Sequence, residues 1–349
     1  MTAAASVPVP DPDDATALEL LFIYAGLAFL AVAFLFLLRS LCSCRAYLAS
    51  TDSIFKRTSS ERSFPFTARG HCGDGASPSH VVFRFRQDYH GGSLSTDQYG
   101  TGVGVGASIW CSALVLVDLV LGDCRHANDG TPLGKPVDLS EWVSMKDKTC
   151  LELGCGLGMV AIASSVLGAK LSVATDGDVA LLPLTKENIV ANEEACSRAG
   201  ILGVRAQRRR RMHVAARPAI EVLPLHWGDD AHHRGVLDML ATHGGGGGGD
   251  GRGYDVITGA DIVYRPATFP GLIDTLEACS TPGHTTFLLG YKPRFPTDVH
   301  FFGMLEEHWE EERRIAAKDL RTAFNDPDVV IIQYRRRLEG TGVVGERCS

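Results

Sequence analysis

The chain has 349 residues, 45% of them apolar and 21% charged, a balance typical of a globular protein with an additional apolar segment. A formal net charge of -7 at pH 7 argues against a general affinity for nucleic acid. The ten cysteines are scattered and form no C-x-x-C pair, which argues against a zinc site or a disulfide framework and fits a reducing compartment.

The first feature along the chain is an uncharged apolar run at residues 20–38, LLFIYAGLAFLAVAFLFLL. A helix over this run would cross most of a bilayer's hydrocarbon core, because each residue adds about 1.5 Å toward a thickness of about 30 Å. A cleavable signal peptide would require a basic leader, whereas residues 1–19 form a short acidic tail without Lys or Arg. We therefore predict a single transmembrane helix at residues 20–38.

Basic residues follow the apolar run and set its predicted orientation. They are Arg39, Arg45, Lys56, Arg57 and Arg62. Because basic flanks stay on the cytosolic side, we expect a single-pass membrane protein whose large C-terminal part faces the cytosol. Residues 39–79 are rich in serine, glycine and basic residues and poor in apolar ones, so we predict a flexible tether there.

Strand-like and helix-like stretches alternate from residue 80 onward. In chain order they are a strand in HVVFRFRQ (80–87), a buried helix in 107–123, a strand in TCLELG (149–154), a helix at 157–167, a strand in KLSVATD (170–176), a helix through Ile189, a strand in AIEVLPLHW (219–227), a short helix around Val236, a strand in YDVITGADIVY (254–264), a helix from Pro266 to Cys279, a strand in TTFLLGY (285–291), a helix at 301–308 and a strand in DVVIIQYRR (328–336).

Strands that alternate with helices form β-α-β units, which predicts an α/β fold with a mostly parallel sheet and helices on both of its faces. We place this domain at residues 80–340, with inserts at 198–218 and 243–252 and a tail at 341–349. The first insert is rich in arginine, so it is either a solvated loop or a contact for anionic lipid, nucleic acid or an acidic partner. The second is a glycine run typical of a flexible loop.

The stretch ELGCGLG, residues 152–158, places three glycines at alternate positions directly after a predicted strand. Glycines at the carboxyl end of a parallel strand allow a tight turn and let a ligand approach the backbone. The dinucleotide pattern G-x-G-x-x-G/A fails at Met159. Gly102, Gly104 and Ala107 do match that pattern, but no strand precedes them, so we interpret this stretch as a loop entering the following helix.

The next predicted strand ends in Asp176, 24 positions after Glu152. A carboxylate at this place can accept hydrogen bonds from both hydroxyls of a ribose. Because the turn does not fit a pyrophosphate, the sequence favours a ligand in which a nucleoside is attached to something other than phosphate.

Several motifs together carry a family resemblance. The pattern E-x-G-x-G-x-G with Asp176 resembles the S-adenosylmethionine site of Rossmann-like, seven-strand class I methyltransferases. Narrower motifs are similar to the family 16 protein-lysine methyltransferases, whose members modify chaperones, elongation factors and calmodulin, with a histidine-modifying minority. These motifs are Trp110, N-I-V-A-N at 188–192, L-H-W-G at 225–228 and A-D-I-V-Y at 260–264, and the similarity covers about residues 80–338.

The resemblance implies S-adenosylmethionine as the cofactor and a role for each motif residue. Glu152, Gly154, Gly156 and Gly158 would line its methionine and ribose part, Asp176 would hold the ribose, Trp227 would pack near the adenine and Trp110 would wall the pocket. Asp261 and Tyr264 would form a D-x-x-Y pair beside the reacting centre, where Asp261 would orient an acceptor lysine amine of a protein substrate. We expect a monomer without a metal ion or a specific nucleic-acid partner.

Other interpretations of these residues and of the whole chain remain open at this point. Asp261 would alternatively cap the helix near Pro266, the two tryptophans would be core residues, and Asn188 and Asn192 would bond only locally. The histidine-rich stretch from His226 to His233 lacks a recognised metal-binding spacing. The acceptor could also be a histidine or a small molecule, or the chain could be a non-catalytic cofactor-binding scaffold at a membrane.

Overall fold

The computed structural model describes residues 61–68, 79–87, 106–121, 142–198, 220–243, 253–320, 324 and 326–338. The chain divides into two units, residues 1–56 and 57–349, and all described residues belong to the second. Outside the described residues lie the predicted tail 1–19, transmembrane helix 20–38 and C-terminal tail, and nearly all of both inserts. Among the described residues, none of the helices combines the length and apolar character that crossing a bilayer requires.

The strands and helices are named in chain order. The strands are β1 (Glu61–Ala68), β2 (Ser79–Arg86), β3 (Thr149–Leu153), β4 (Leu171–Asp176), β5 (Ile220–Pro224), β6 (Val256–Ala260), β7 (Thr286–Tyr291), β8 (Trp309–Ala316) and β9 (Val330–Arg336). The helices are α1 (Cys111–Leu121), α2 (Met159–Val166), α3 (Leu182–Arg198), α4 (Asp230–Thr242), α5 (Phe269–Ala278) and α6 (Val299–Glu306), with 3-10 turns at Pro266–Thr268, Pro296–Asp298 and Ala317–Asp319.

Seven strands form one sheet in the order β5-β4-β3-β6-β7-β9-β8. The pairs β4–β5, β3–β4, β3–β6 and β6–β7 are parallel, whereas β9 runs antiparallel to both of its neighbours. The order reverses at β3, and ligands of open α/β sheets bind beyond the carboxyl ends of the strands at such a point. The predicted Rossmann-like seven-strand sheet is therefore confirmed, and the glycine turn follows β3, the strand at which the order reverses.

The two faces of the sheet are covered by different helices. Leu151 and Leu153 of β3 share a buried cluster with side chains of α4, α5 and α6, such as Leu240, Leu272 and Phe301. On the opposite face, the hydroxyl of Ser172 in β4 donates to the carbonyl of Ala161 in α2 at 3.1 Å. Because β3 to β7 are parallel to their neighbours among these five strands, the residues that follow their carboxyl ends lie at one edge of the sheet.

A β-hairpin precedes the sheet and corrects the predicted tether. Strand β1 lies inside residues 39–79 and pairs antiparallel with β2, so the folded part begins before residue 80. Phe64, Phe66, Phe83 and Phe85 of the two strands are buried. The tether prediction failed at residues 61–68 because these apolar side chains find partners only when the hairpin closes.

Two asparagines on α3 attach this hairpin to the domain. The side-chain amide of Asn188 accepts from the N–H of Arg86 at 2.7 Å and donates to its carbonyl at 2.9 Å. Asn192 makes the same pair of bonds with the backbone of Arg84, at 2.8 and 2.7 Å. Both asparagines are buried, so the expectation of purely local bonding is wrong, because their amides complete the open edge of β2 as a neighbouring strand would.

Strand β8 was absent from the sequence interpretation. Its residues, WEEERRIA, carry five consecutive charged side chains because the strand lies at the edge of the sheet and only Trp309 of the strand is buried. A charged edge strand prevents pairing with other chains but removes the apolar alternation by which strands are recognised.

Candidate functional site

The turn after β3 has the backbone conformation that its glycines predict. Gly154, Gly156 and Gly158 have φ angles of 61°, 51° and 82°, in the left-handed region. A Cβ atom on Gly156 would lie 2.8 Å from the carbonyl oxygen of Gly106, which precedes α1. The turn therefore requires glycine for both its conformation and its packing, and it leaves the backbone accessible from the cavity that it borders.

Asp176 ends β4 and lies beside this turn. Its Oδ2 accepts a hydrogen bond from the amide of Gly156, and its Oδ1 accepts one from the amide of Asp178, each at 3.0 Å. Burial raises the pKa of the Asp176 carboxyl above its ordinary value, and the two amides oppose this increase. Each carboxylate oxygen retains a further lone pair, so the side chain can still accept bonds from two hydroxyls of a ribose.

Glu152 lies within β3 and caps helix α2. Its Oε2 accepts a hydrogen bond of 2.7 Å from the amide of Ala161, while Gly158 at the start of the helix has no side chain to do so. Burial raises the pKa of the Glu152 carboxyl to about 8, opposed by the amides of Ala161 and Val160. Glu152 lines the cavity, and it also has a structural role that the family resemblance did not imply.

Both predicted tryptophans line the cavity, and Trp227 also packs against the core cluster. Trp227 follows β5, and its ring would be 3.4 Å from a Cβ atom on Gly154. Trp110 directly precedes α1, and the guanidinium carbon of Arg294 lies 5.0 Å from the centroid of its ring. Both rings are partly exposed and form part of the cavity wall, so neither is a plain core aromatic residue.

Asp261 and Tyr264 follow the carboxyl end of β6. The Oδ1 atom of Asp261 accepts a hydrogen bond of 2.8 Å from Nη2 of Arg294, and its buried Oδ2 has no hydrogen-bond partner among the described residues. Burial raises the pKa of the Tyr264 hydroxyl, and Asp176 adds to this increase. Asp261 caps no helix, because the following 3-10 turn begins after Arg265 without a side-chain cap.

Except for Gly158, these residues border one cavity of about 1110 Å³ at the carboxyl edge of the sheet. Gly158 faces the interior instead, because a Cβ atom there would lie 3.2 Å from side-chain atoms of Thr185 and Ile189. The lining also includes residues that the sequence analysis did not single out, namely Gly106, Ser108, Ile109, Arg294 and Phe295. Arg294 and Phe295 follow the parallel strand β7 at its ligand-binding end. Their location after a predicted parallel strand was the only feature of the sequence that could have identified them as site residues, since no motif accompanies it.

In the histidine-rich stretch, Nδ1 of His232 lies 3.6 Å from Oδ1 of Asp229, and the ring centroids of His226 and His232 are 5.5 Å apart. Asp229 caps α4 by accepting from the amides of Ala231 and His232, while Nε2 of the buried His233 lies 2.9 Å from the hydroxyl of Thr275. Nowhere in the part of the chain that the structure describes do three or more His, Cys, Asp or Glu side chains form a group suited to a metal ion.

Comparison with known proteins identifies the family. Residues 137–212 match the model of ribosomal protein L11 methyltransferases, and residues 211–308 match the model of lysine methyltransferases. Protein N-lysine methyltransferase METTL21A of Danio rerio is 31% identical over 223 residues, which cover 61% of this chain and 76% of the relative. The chain belongs to the protein-lysine methyltransferase family. EEF1A lysine methyltransferase 3 of Mus musculus is 28% identical over 253 residues, covering 72% and 80% of the two chains.

One solved structure that is similar to this chain is a TehB-like SAM-dependent methyltransferase from Corynebacterium glutamicum. It aligns with 66% of this lysine methyltransferase and 90% of its own chain, at 11% identity and a TM-score of 0.35. The cofactor of the lysine methyltransferase is S-adenosylmethionine. The residues present fit this cofactor, because the glycine turn leaves room beside the backbone, Asp176 offers two acceptors for a ribose and Trp227 lies next to the turn.

Proposed function

We propose that this lysine methyltransferase is a single-pass membrane protein whose catalytic domain faces the cytosol and methylates a lysine side chain of a protein substrate there. The observation that carries the catalytic part is the single cavity that joins a nucleoside end, at Asp176 and Trp227, to a polar end at Asp261 and Tyr264. The uncharged run at 20–38 and the basic residues after it support the anchor and its orientation.

The reaction is an in-line displacement. The lone pair of the acceptor nitrogen forms a bond to the methyl carbon, the carbon–sulfur bond breaks with its electron pair passing to sulfur, and the nitrogen then loses a proton to water. When bound, S-adenosylmethionine supplies this methyl group on a positively charged sulfur. The residues of the chain contribute by holding the two reactants at attack distance, which can account for most of the acceleration of such a transfer.

Separate parts of the cavity hold the two reactants. The glycine turn and Asp176 hold the nucleoside, with Trp227 beside the turn and Glu152 fixing the start of α2 behind it. Tyr264 walls the acceptor end with a hydroxyl that is protonated at neutral pH, since burial raises its pKa further above the ordinary value. Asp261 lies at the same end, where its carboxylate orients the acceptor amine by hydrogen bonding.

The lysine assignment can be tested with the full chain in detergent. The protein is incubated with cofactor labelled in the methyl group and a dialysed membrane-plus-cytosol extract, and the label is then located after acid hydrolysis. We expect methyl-lysine, and we expect Asp261→Ala to remove the label. Asp238→Ala, an exposed substitution on α4, is the matched control and should leave labelling unchanged.

The other outcomes of this assay identify the alternative functions. Label found only as methyl-histidine, or only in an organic extract, would replace lysine by a histidine or by a small molecule as the acceptor. If labelling is unchanged in Asp261→Ala, the chain would be a binding scaffold and the label would come from a contaminating enzyme. The anchor is tested separately, since protease added to sealed vesicles with their cytosolic side outward should digest the catalytic domain.

A further inference from the structure

Arg294 and Asp261 form an ion pair between the ends of two neighbouring strands. Nη2 of Arg294 lies 2.8 Å from Oδ1 of Asp261, and their side chains are 27% and 6% exposed. The other carboxylate oxygen of Asp261 is buried, and no residue in the described part of the chain bonds to it. The guanidinium therefore pairs with one carboxylate oxygen of Asp261, and both residues line the cavity.

The backbone around Arg294 is fixed by a buried carboxylate. Oδ2 of Asp298 accepts hydrogen bonds from the amides of Arg294 and Phe295, at 3.1 and 3.2 Å, and from the hydroxyl of Tyr291 at 3.0 Å. On the other side, the guanidinium carbon of Arg294 lies 5.0 Å from the centroid of the Trp110 ring. Arg294 is thus held in one place and joins the ends of β6 and β7 to the start of α1.

This arrangement bears on the charge of the acceptor amine. A lysine must be neutral to attack, although its ordinary pKa is about 10.4. A nearby positive charge lowers that pKa, whereas an unpaired carboxylate within a few ångströms raises it by about 1 to 3 units. Asp261 without a partner would therefore hold the acceptor as an unreactive ammonium ion.

We propose that Arg294 is a positioning residue of the methyl transfer, which holds Asp261 and neutralises it so that the acceptor lysine reacts as a free amine. The inference rests on the proposed lysine acceptor. Oδ1 of Asp261 retains a second lone pair, which can accept a hydrogen bond from the acceptor amine, but the charge of the carboxylate is already balanced within the enzyme.

Other titratable groups surround this pair and must be separated from it. They are Glu152 of β3, Asp176 of β4, Tyr264 and Arg265 after β6, Tyr291, Lys292 and Asp298 at and after β7, Asp326 before β9 and Cys111 of α1. Lys292 is paired with Asp326 at 2.7 Å. Burial raises the pKa of Glu152 to about 8, so this group can titrate in the same pH range. All the variants compared retain Glu152, so its titration cannot account for a difference between their profiles.

The test compares pH profiles of kcat between about pH 6.5 and 10, since kcat reports groups in the enzyme–substrate complex. The acceptor is the protein that mass spectrometry identifies in the extract assay, at saturating concentration. For Arg294→Gln we expect the midpoint of the kcat profile to rise by about one pH unit or more. The value of kcat should therefore be about tenfold lower than that of the wild type near pH 7.5 and recover above about pH 9.5. Arg294→Lys should keep the wild-type midpoint, and so should Asp261→Asn combined with Arg294→Gln, because neither charge then remains.

A second measurement does not depend on turnover. Calorimetry in two buffers of different ionisation enthalpy counts the protons released when the acceptor binds to enzyme saturated with sinefungin, a cofactor analogue with an amine in place of the sulfonium. We expect the wild type to release more protons than Arg294→Gln. Equal proton release with superimposable profiles would overturn the role of Arg294, whereas a wild type that labels no lysine would overturn the proposed function itself.

Discussion

The carboxyl group of Glu152 accepts a 2.7 Å hydrogen bond from the amide of Ala161 and thereby caps helix α2 from within strand β3. The glycine turn lies between these two residues in the chain. A side chain expected to line the cofactor pocket thus also fixes the helix against which that pocket is built, so its effects on stability and on binding must be measured apart.

Glu152→Gln should reduce the dependence of stability on pH. Burial raises the pKa of this carboxyl from an ordinary value of 4.5 to about 8, so the folded protein binds the proton more tightly than the unfolded chain does. The free energy of unfolding of the wild type should therefore fall as pH rises between about 4.5 and 8, by an amount on the order of a few kcal/mol. The amide oxygen of glutamine still accepts from Ala161 but does not titrate.

Chemical denaturation of both proteins at about pH 5, 6.5 and 8 checks this prediction. The two free energies should be similar at the lowest pH and diverge in favour of Glu152→Gln at the highest. Parallel pH dependences would show that Glu152 is not the titrating group.

Asp176→Ala should weaken binding of S-adenosylmethionine by at least about 100-fold, because two charge-assisted hydrogen bonds to the ribose are worth about 1.5 to 3 kcal/mol each. Asp176→Asn retains one acceptor and should give an intermediate loss. Isothermal titration calorimetry provides the dissociation constants, and the melting temperature of each variant confirms that it is folded. An unaltered dissociation constant for Asp176→Ala would remove the residue from the cofactor site.

Gly156→Ala should disrupt the cofactor turn. The residue has a φ of 51°, and the added Cβ would lie 2.8 Å from the carbonyl oxygen of Gly106. We expect a loss of about 1 to 3 kcal/mol in unfolding free energy together with weaker cofactor binding. Gly235→Ala is the matched control, since this glycine lies in α4 with open space around it and alanine should stabilise the helix by up to about 1 kcal/mol.

Asn188→Ala and Asn192→Ala should each lower the free energy of unfolding by about 1 to 3 kcal/mol, because each removes two hydrogen bonds to the backbone of β2. Limited proteolysis should then cut the β1–β2 hairpin before the rest of the domain. Glu187→Gln is the control, since its ion pair with Arg86 is largely exposed and should contribute less than about 0.5 kcal/mol. Equal protease resistance of all three variants would contradict a docking role for the asparagines.

The sequence alone was sufficient for the features that are encoded locally. Short apolar runs that alternate with helix-like stretches predicted the parallel strands. Three glycines after one of these runs predicted the turn at 154–158. Asp176 and Asp261 were located because each lies at the carboxyl end of a strand, and parallel strands bring those ends to one edge of a sheet.

The tertiary structure decided the partners that lie far apart in the chain. Arg294 is 33 positions from Asp261, and Asn188 is 102 positions from Arg86. Neither pair follows from periodicity, because it depends on which strands become neighbours and on where a hairpin docks. Local patterns fix the type of an element, whereas the electrostatic environment of a side chain is fixed only when burial removes water and brings distant charges together.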